Sequence, residues 1–95
     1  MRYEITLAPQ AVQDLRALKA NLRAQVRDGI ERHLRHEPRK TSKATIKRLK
    51  GVRRPEYRLR IADVRVFYDV GPDEVRIVAI VAKEDAEEWL RRVGK

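Results

Sequence analysis

The chain has no cysteine, so a disulfide framework and a thiolate metal site are both excluded. No run of apolar residues approaches the length of a membrane span, and the opening "MRYEITLAP" lacks the apolar stretch of a signal peptide. A cytoplasmic location is therefore expected, with no membrane partner. Glycines number four and form no phosphate-cradling loop, Gly51 standing alone after a basic run. Aromatic residues make up 5% of the chain, and none interleaves with the basic stretch from Lys47 to Arg54. Negative charge is also short: 14 acidic residues face 23 lysines and arginines, leaving a formal net charge of +9.

A charge of that size on 95 residues attracts polyanions, and nucleic acid comes first because its phosphates are contacted chiefly by Lys and Arg. An acidic protein partner fits the same surface. The length supports one compact domain, residues 1–95, with a single core.

Hydrophobic periodicity sets the element order. In "YEITL" the residues Tyr3, Ile5 and Leu7 alternate with polar ones, as in a half-buried strand. Pro9 suits the first turn of a following helix, where its missing N–H has no partner to lose. From Ala11 the positions Leu15, Leu18, Leu22, Val26, Ile30 and Leu34 recur every three or four residues and draw one helical stripe. The stripe is too long for one covered rod, which predicts a helical hairpin broken near Asn21 and ended by Glu37-Pro38. Residues 38–50, "PRKTSKATIKRLK", read as an exposed basic connection with a short edge strand around Ile46 to Leu49. Three strands follow, "YRLRI", "VRVFYDV" and "EVRIVAIVA", the last two joined by a turn signal, "GPDE". That turn places Val70 opposite Val75, Asp69 opposite Arg76 and Tyr68 opposite Ile77. The nearly all-apolar third strand is expected in the middle of the sheet. A final helix carries Ala86, Trp89, Leu90 and Val93 on one face, with acids early and Arg91 and Arg92 late, complementing the helix dipole.

Chemistry concentrates in the hairpin "EYRLRIADVRVFYDV". Reversal at Ala62-Asp63 sets Ile61 against Val64, Leu59 against Val66 and Tyr57 against Tyr68. Arg60 then lands opposite Arg65, and Arg58 opposite Phe67, so the three arginines share one face. Directly opposed like charges cost a sheet up to roughly 1 kcal/mol. Two readings of that cost stand side by side: a retained anion site, or a solvent face where long guanidiniums splay apart under screening. Arginine suits the first, because its planar fork pairs with phosphate through parallel hydrogen bonds.

The segments "LKG", "YRLRI" and "DVRVFYDV", followed by a turn, an apolar strand and a short helix, resemble the RelE/ParE toxin superfamily. The resemblance runs from "IKRLKG" at residues 46–51 to the end, and the preceding helical pair fits it. It implies an α+β, RelE-like fold: an antiparallel-dominated four-stranded sheet with an N-terminal helical pair and a short C-terminal helix. It also implies the toxin of a type II toxin–antitoxin pair, with an acidic antitoxin as partner. In the RelE-like branch such a toxin cuts mRNA on the ribosome by metal-independent attack of the RNA 2'-hydroxyl on phosphate, with no cofactor. Arg58, Arg60 and Arg65 occupy matching basic positions, Arg65 being expected to bind the scissile phosphate while Arg58 and Arg60 orient the RNA. Lys83 stands where that branch carries an arginine, and no residue of "VAKEDAEEWL" replaces its late tyrosine. Lys47, Arg48, Lys50, Arg53 and Arg54 are expected to track phosphates of mRNA or rRNA. A ParE-like inhibitor of DNA gyrase and an inactive RNA-binding or antitoxin-bound module are the alternatives, against which the short helical pair and the retained hairpin arginines favour the RelE-like reading.

Among the remaining candidates, His33 and His36 share a helical spacing but lack further ligands, so they read as dipole partners at a helix C-terminus rather than a metal site. Trp89 could stack on a base, yet its place on the apolar stripe predicts packing against the sheet. Tyr3, Tyr57 and Tyr68 share the parity of core-facing positions.

Overall fold

A computed structural model describes residues 1–94. The elements run β1 (Glu4–Leu7), α1 (Pro9–Ala17), α2 (Ala20–Leu34), β2 (Ile46–Arg48), β3 (Tyr57–Ile61), β4 (Val64–Val70), β5 (Glu74–Ala82) and α3 (Lys83–Val93). The sheet order is β1-β5-β4-β3-β2, with β1 parallel to β5 and every other pairing antiparallel. The class is α+β, as expected. The expected four strands become five because the short segment at Ile46 joins the sheet as its outer strand.

The hairpin registers follow from alternation. Leu59 faces Val66, Tyr57 faces Tyr68 and Arg60 faces Arg65. Across the next turn Val70 faces Val75 and Asp69 faces Arg76. Asp69 uses its carboxylate differently from a cross-strand ion pair: its Oδ1 accepts the Glu56 N–H at 2.8 Å, while Glu56 Oε1 accepts the Val70 N–H at 2.9 Å. These reciprocal bonds close the open end of the β3–β4 hairpin. A bulge between Phe67 and Tyr68 lets β5 slip by one residue, which leaves Val78 between Ile77 and Ala79 without a β4 partner.

One face of the sheet carries Ile46, Leu59, Val66, Tyr68, Val75 and Ile77, and α1 and α2 supply Ala11, Leu15, Val26, Ile30 and Leu34 to the same core. The close approach of α2 to the hairpin depends on Gly29, where a Cβ would collide with the Cδ1 of Ile61 and lie 2.9 Å from its Cγ1. The helical break falls at Leu18 and Lys19, both extended, rather than at Asn21. The physical reason is a cap supplied from the second helix: an Arg23 Nη donates to the Leu18 carbonyl at 2.9 Å and so satisfies the end of α1. Asn21 sits inside the first turn of α2, its side chain accepting the Leu22 N–H.

The connection after α2 is not solvated throughout. Pro38 is fully buried, and its carbonyl accepts the Tyr68 hydroxyl at 2.7 Å. Burial, with a smaller contribution from Tyr57, raises the Tyr68 pKa, which keeps the phenol protonated as a donor. Tyr68→Phe therefore leaves a buried carbonyl without its partner and is expected to cost about 1–2 kcal/mol, read as a lower midpoint in urea at unchanged slope.

Candidate nucleic-acid interface

The opposite face of the sheet brings the basic residues together. Strand β3 turns Leu59 inward and therefore Arg58 and Arg60 outward, and β4 does the same with Val66 and Arg65. Lys47 on β2 lies directly opposite Arg58, adding a fourth cation to this face. Phe67, fully buried, forms the apolar floor between Arg58 and Ala79. Helix α3 crosses the same face, with the Trp89 ring stacked on Phe67 at a centroid distance of 4.7 Å and 19° between planes. Trp89 thus packs on the sheet as its position on the stripe predicts.

The three arginines sit in different environments. Arg60 is exposed. Arg65 is only 8% exposed, and its Nη1 donates to the carbonyls of Ala62 at 3.3 Å and Val64 at 3.1 Å. Those bonds hold the guanidinium against a two-residue turn in which Ala62 takes a left-handed φ of 51°, costly for a residue with a Cβ. One fork nitrogen of Arg65 thus belongs to the backbone, so this residue braces the hairpin tip as well as charging it. Arg58 is half-buried, and its Nε is buried without a hydrogen-bond acceptor. Burial, then the charges of Arg65 and Arg60, lower its pKa.

Lys83 opens α3 as an exposed residue, and its N–H donates to the Asp63 carbonyl at 2.8 Å, which brings the helix start to the hairpin tip near Arg60 and Arg65. The basic run before the hairpin is divided. Lys47 joins the arginine face, whereas Arg48 projects to the other side, pairs with Glu56 at 3.4 Å and lies over the Tyr57 ring at 5.2 Å. Lys50, Arg53 and Arg54 are exposed on the loop between β2 and β3, where Gly51 takes a φ of 73°. Arg54 borders a cleft of about 810 Å³ on the α3 side of the sheet, beside Asp69, Asp85, Glu88 and Trp89. Sequence reasoning missed the place of Lys47 on the arginine face; its signal was the alternation of Ile46 with Lys47, which gives β2 the same inward and outward parity as β3. Among the described residues no group of three or more His, Asp or Glu side chains is placed to hold a metal, and no helix is long and apolar enough to cross a membrane.

The chain is a small α+β domain with a helical pair on one side of a mixed sheet and a cationic hairpin face, crossed by α3, on the other. The family described as ParE toxin of type II toxin–antitoxin system, parDE, matches residues 5–87, and the chain belongs to it. The chain is accordingly the toxin of a type II toxin–antitoxin system. Solved structures agree on the fold. An arginine double mutant of the Escherichia coli toxin RelE in the free state aligns with a TM-score of 0.73 at 20% identity, over 98% of this chain and 99% of that one. The RelE–RelB complex from Pyrococcus horikoshii OT3 gives 0.65 at 26% identity, over 87% and 97%. The RelB–RelE antitoxin–toxin complex from Methanococcus jannaschii gives 0.66 at 20%, over 88% and 96%. A search of curated proteins gave no match.

Proposed function

We propose that the protein is a ribosome-dependent endoribonuclease that cuts translated mRNA, with the arginine face as its phosphate-binding surface. The observation that carries this reading is the buried, acceptor-less Nε of Arg58 set among the like charges of Arg60 and Arg65. A phosphate oxygen would supply the missing acceptor and offset the repulsion in one contact. In the proposed reaction the RNA 2'-oxygen bonds to phosphorus as its hydroxyl proton leaves, and the bond to the 5'-oxygen breaks as that oxygen takes up a proton. The products are a 2',3'-cyclic phosphate and a 5'-hydroxyl. Arg58 and Arg60 stabilise the charge on the phosphoryl oxygens, Arg65 holds the turn that aims them, and Lys83 adds charge from the tip. None of these cations is a good proton acceptor at neutral pH, so catalysis rests on charge stabilisation and on the geometry in which the ribosome presents the message.

The test is incubation of the purified toxin with programmed ribosomes, cleavage being read by primer extension. Cuts in the decoding site are expected, with no cutting of the same message free in solution. Absence of cleavage together with inhibition of gyrase supercoiling would replace this reading by the gyrase-directed one, and absence of both would leave an inactive binding module.

The partner proposed for neutralisation is an acidic antitoxin, in keeping with the antitoxin complexes of the related folds. With a net charge of +9, long-range attraction should act mainly on the encounter. Association rates measured by stopped flow are expected to fall by at least tenfold between low and physiological salt while dissociation changes little. A salt-independent association rate would contradict this.

A further inference from the structure

His33 and His36 take no part in the arginine face. They line a separate cleft of about 350 Å³ between the C-terminal end of α2 and the segment that leads into β2, together with Arg32, Lys40, Glu37 and Thr45. Cations dominate it. Arg32 and Lys40 are exposed, and each has only a loose acidic partner, Asp28 at 3.5 Å and Glu37 at 4.0 Å. His36 is fixed by its Nδ1, which lies 3.1 Å from the Met1 carbonyl and, since a carbonyl only accepts, carries the proton. The single aliphatic wall residue, Ile46, is committed to the core, so the cleft offers little to an apolar side chain.

Its position gives it meaning. Thr45 forms one wall, and the Thr45 carbonyl accepts the Arg60 N–H at 2.8 Å, so the cleft begins where the arginine face ends. Between them lies β2, the outermost strand, with no further strand on its free edge and with Lys47 on its arginine side. The cations therefore continue from Arg65 and Arg60 around the edge of the sheet to Lys40 and Arg32, with the His36 ring between them as a polar wall. A flexible polyanion is the ligand class that such a bent, polar path accommodates.

We propose that this cleft is a second phosphate-binding subsite, which holds the single-stranded RNA where it passes over β2 away from the arginine face. The inference rests on the RNA-directed reading above. It is tested by binding uncleavable 2'-O-methyl RNA, a dodecamer and a trimer, to the full chain across a salt series. The cleft variant Arg32→Gln/His36→Gln/Lys40→Gln is compared with a control, Arg16→Gln/Arg27→Gln, which removes the same formal charge from exposed positions on α1 and α2. Thermal denaturation checks that both fold.

The cleft variant is expected to bind the dodecamer about tenfold more weakly than the control does, with a salt slope reduced by about 1.4, some 0.7 for each of two lost phosphate contacts on a single strand. Trimer binding should be unchanged, because a trimer seated on the arginines does not reach the cleft. Equal dodecamer binding by variant and control would overturn the subsite while leaving the RNA reading intact. An equal loss for trimer and dodecamer, or competition by inorganic phosphate at the cleft alone, would also overturn it, since the site would then hold an isolated anion. Failure of the wild-type chain to bind the dodecamer at low salt would overturn the subsite, whereas the RNA-directed reading itself stands or falls on cleavage of programmed ribosomes.

Discussion

Arg58→Ala is expected to lower single-turnover cleavage on programmed ribosomes by roughly 10²-fold or more, the scale of losing one preorganised donor to a transition state. The same substitution should leave folding stability unchanged or slightly higher. It removes a half-buried guanidinium whose Nε has no acceptor and whose neighbours Arg65 and Arg60 repel it. Activity lost with stability kept is the mark of a group retained for an anion. Arg65→Ala should differ in kind. It also lowers cleavage, but it deprives the Ala62 and Val64 carbonyls of a charged donor at the strained turn, so it is expected to lower the denaturation midpoint as well, by about 1–2 kcal/mol. Arg58→Lys provides the intermediate case, retaining charge without the fork, and should restore part of the rate. Full cleavage by Arg58→Ala would remove this residue from the chemistry.

The contrast between these two arginines also marks where the sequence stops being informative. Alternation alone sets Arg58, Arg60 and Arg65 on one face, because Leu59 and Val66 must both point to the core, and the registers follow once the two turns are placed. Environment does not follow from parity. Arg65 folds back onto the carbonyls of its own turn, where Ala62 is left-handed, while Arg58 is left without an acceptor. The helix break is a similar case. The periodicity demands a hairpin, but the point of reversal is fixed by Arg23 reaching back to the Leu18 carbonyl, a contact made only after both helices pack. The parallel pairing of β1 with β5 carries no local signature either, since the partners lie some seventy positions apart, as in Ile5 with Val75. Pro38 shows the opposite failure: a polar, basic context reads as solvent-facing, yet the proline is buried to receive the Tyr68 hydroxyl.

Phe67→Ala is expected to have the largest effect on stability. Phe67 is fully buried, lies on the arginine face opposite Arg58 and stacks on Trp89 at 4.7 Å. Truncation removes most of the ring surface and leaves a cavity between β4 and α3, at a cost of about 3–5 kcal/mol by the usual range for a buried phenylalanine. For a domain of this size that is a large part of a typical total. Phe67→Leu keeps most of the volume and should cost much less, roughly 1.5 kcal/mol or below. The chain has a single tryptophan, so its fluorescence reports directly on the α3 contact. If the stack anchors α3, Phe67→Ala should shift Trp89 emission to the red at temperatures where circular dichroism still shows a folded sheet, the helix leaving its floor before the core melts. Coincident loss of both signals at a lowered midpoint would instead make α3 part of one cooperative unit with the sheet. An unchanged midpoint would show that Phe67 carries none of the packing energy assigned to it. The outcome bears on the arginine face, because α3 and the cations occupy the same side of the sheet and α3 begins at Lys83, whose N–H is tied to the Asp63 carbonyl at the hairpin tip.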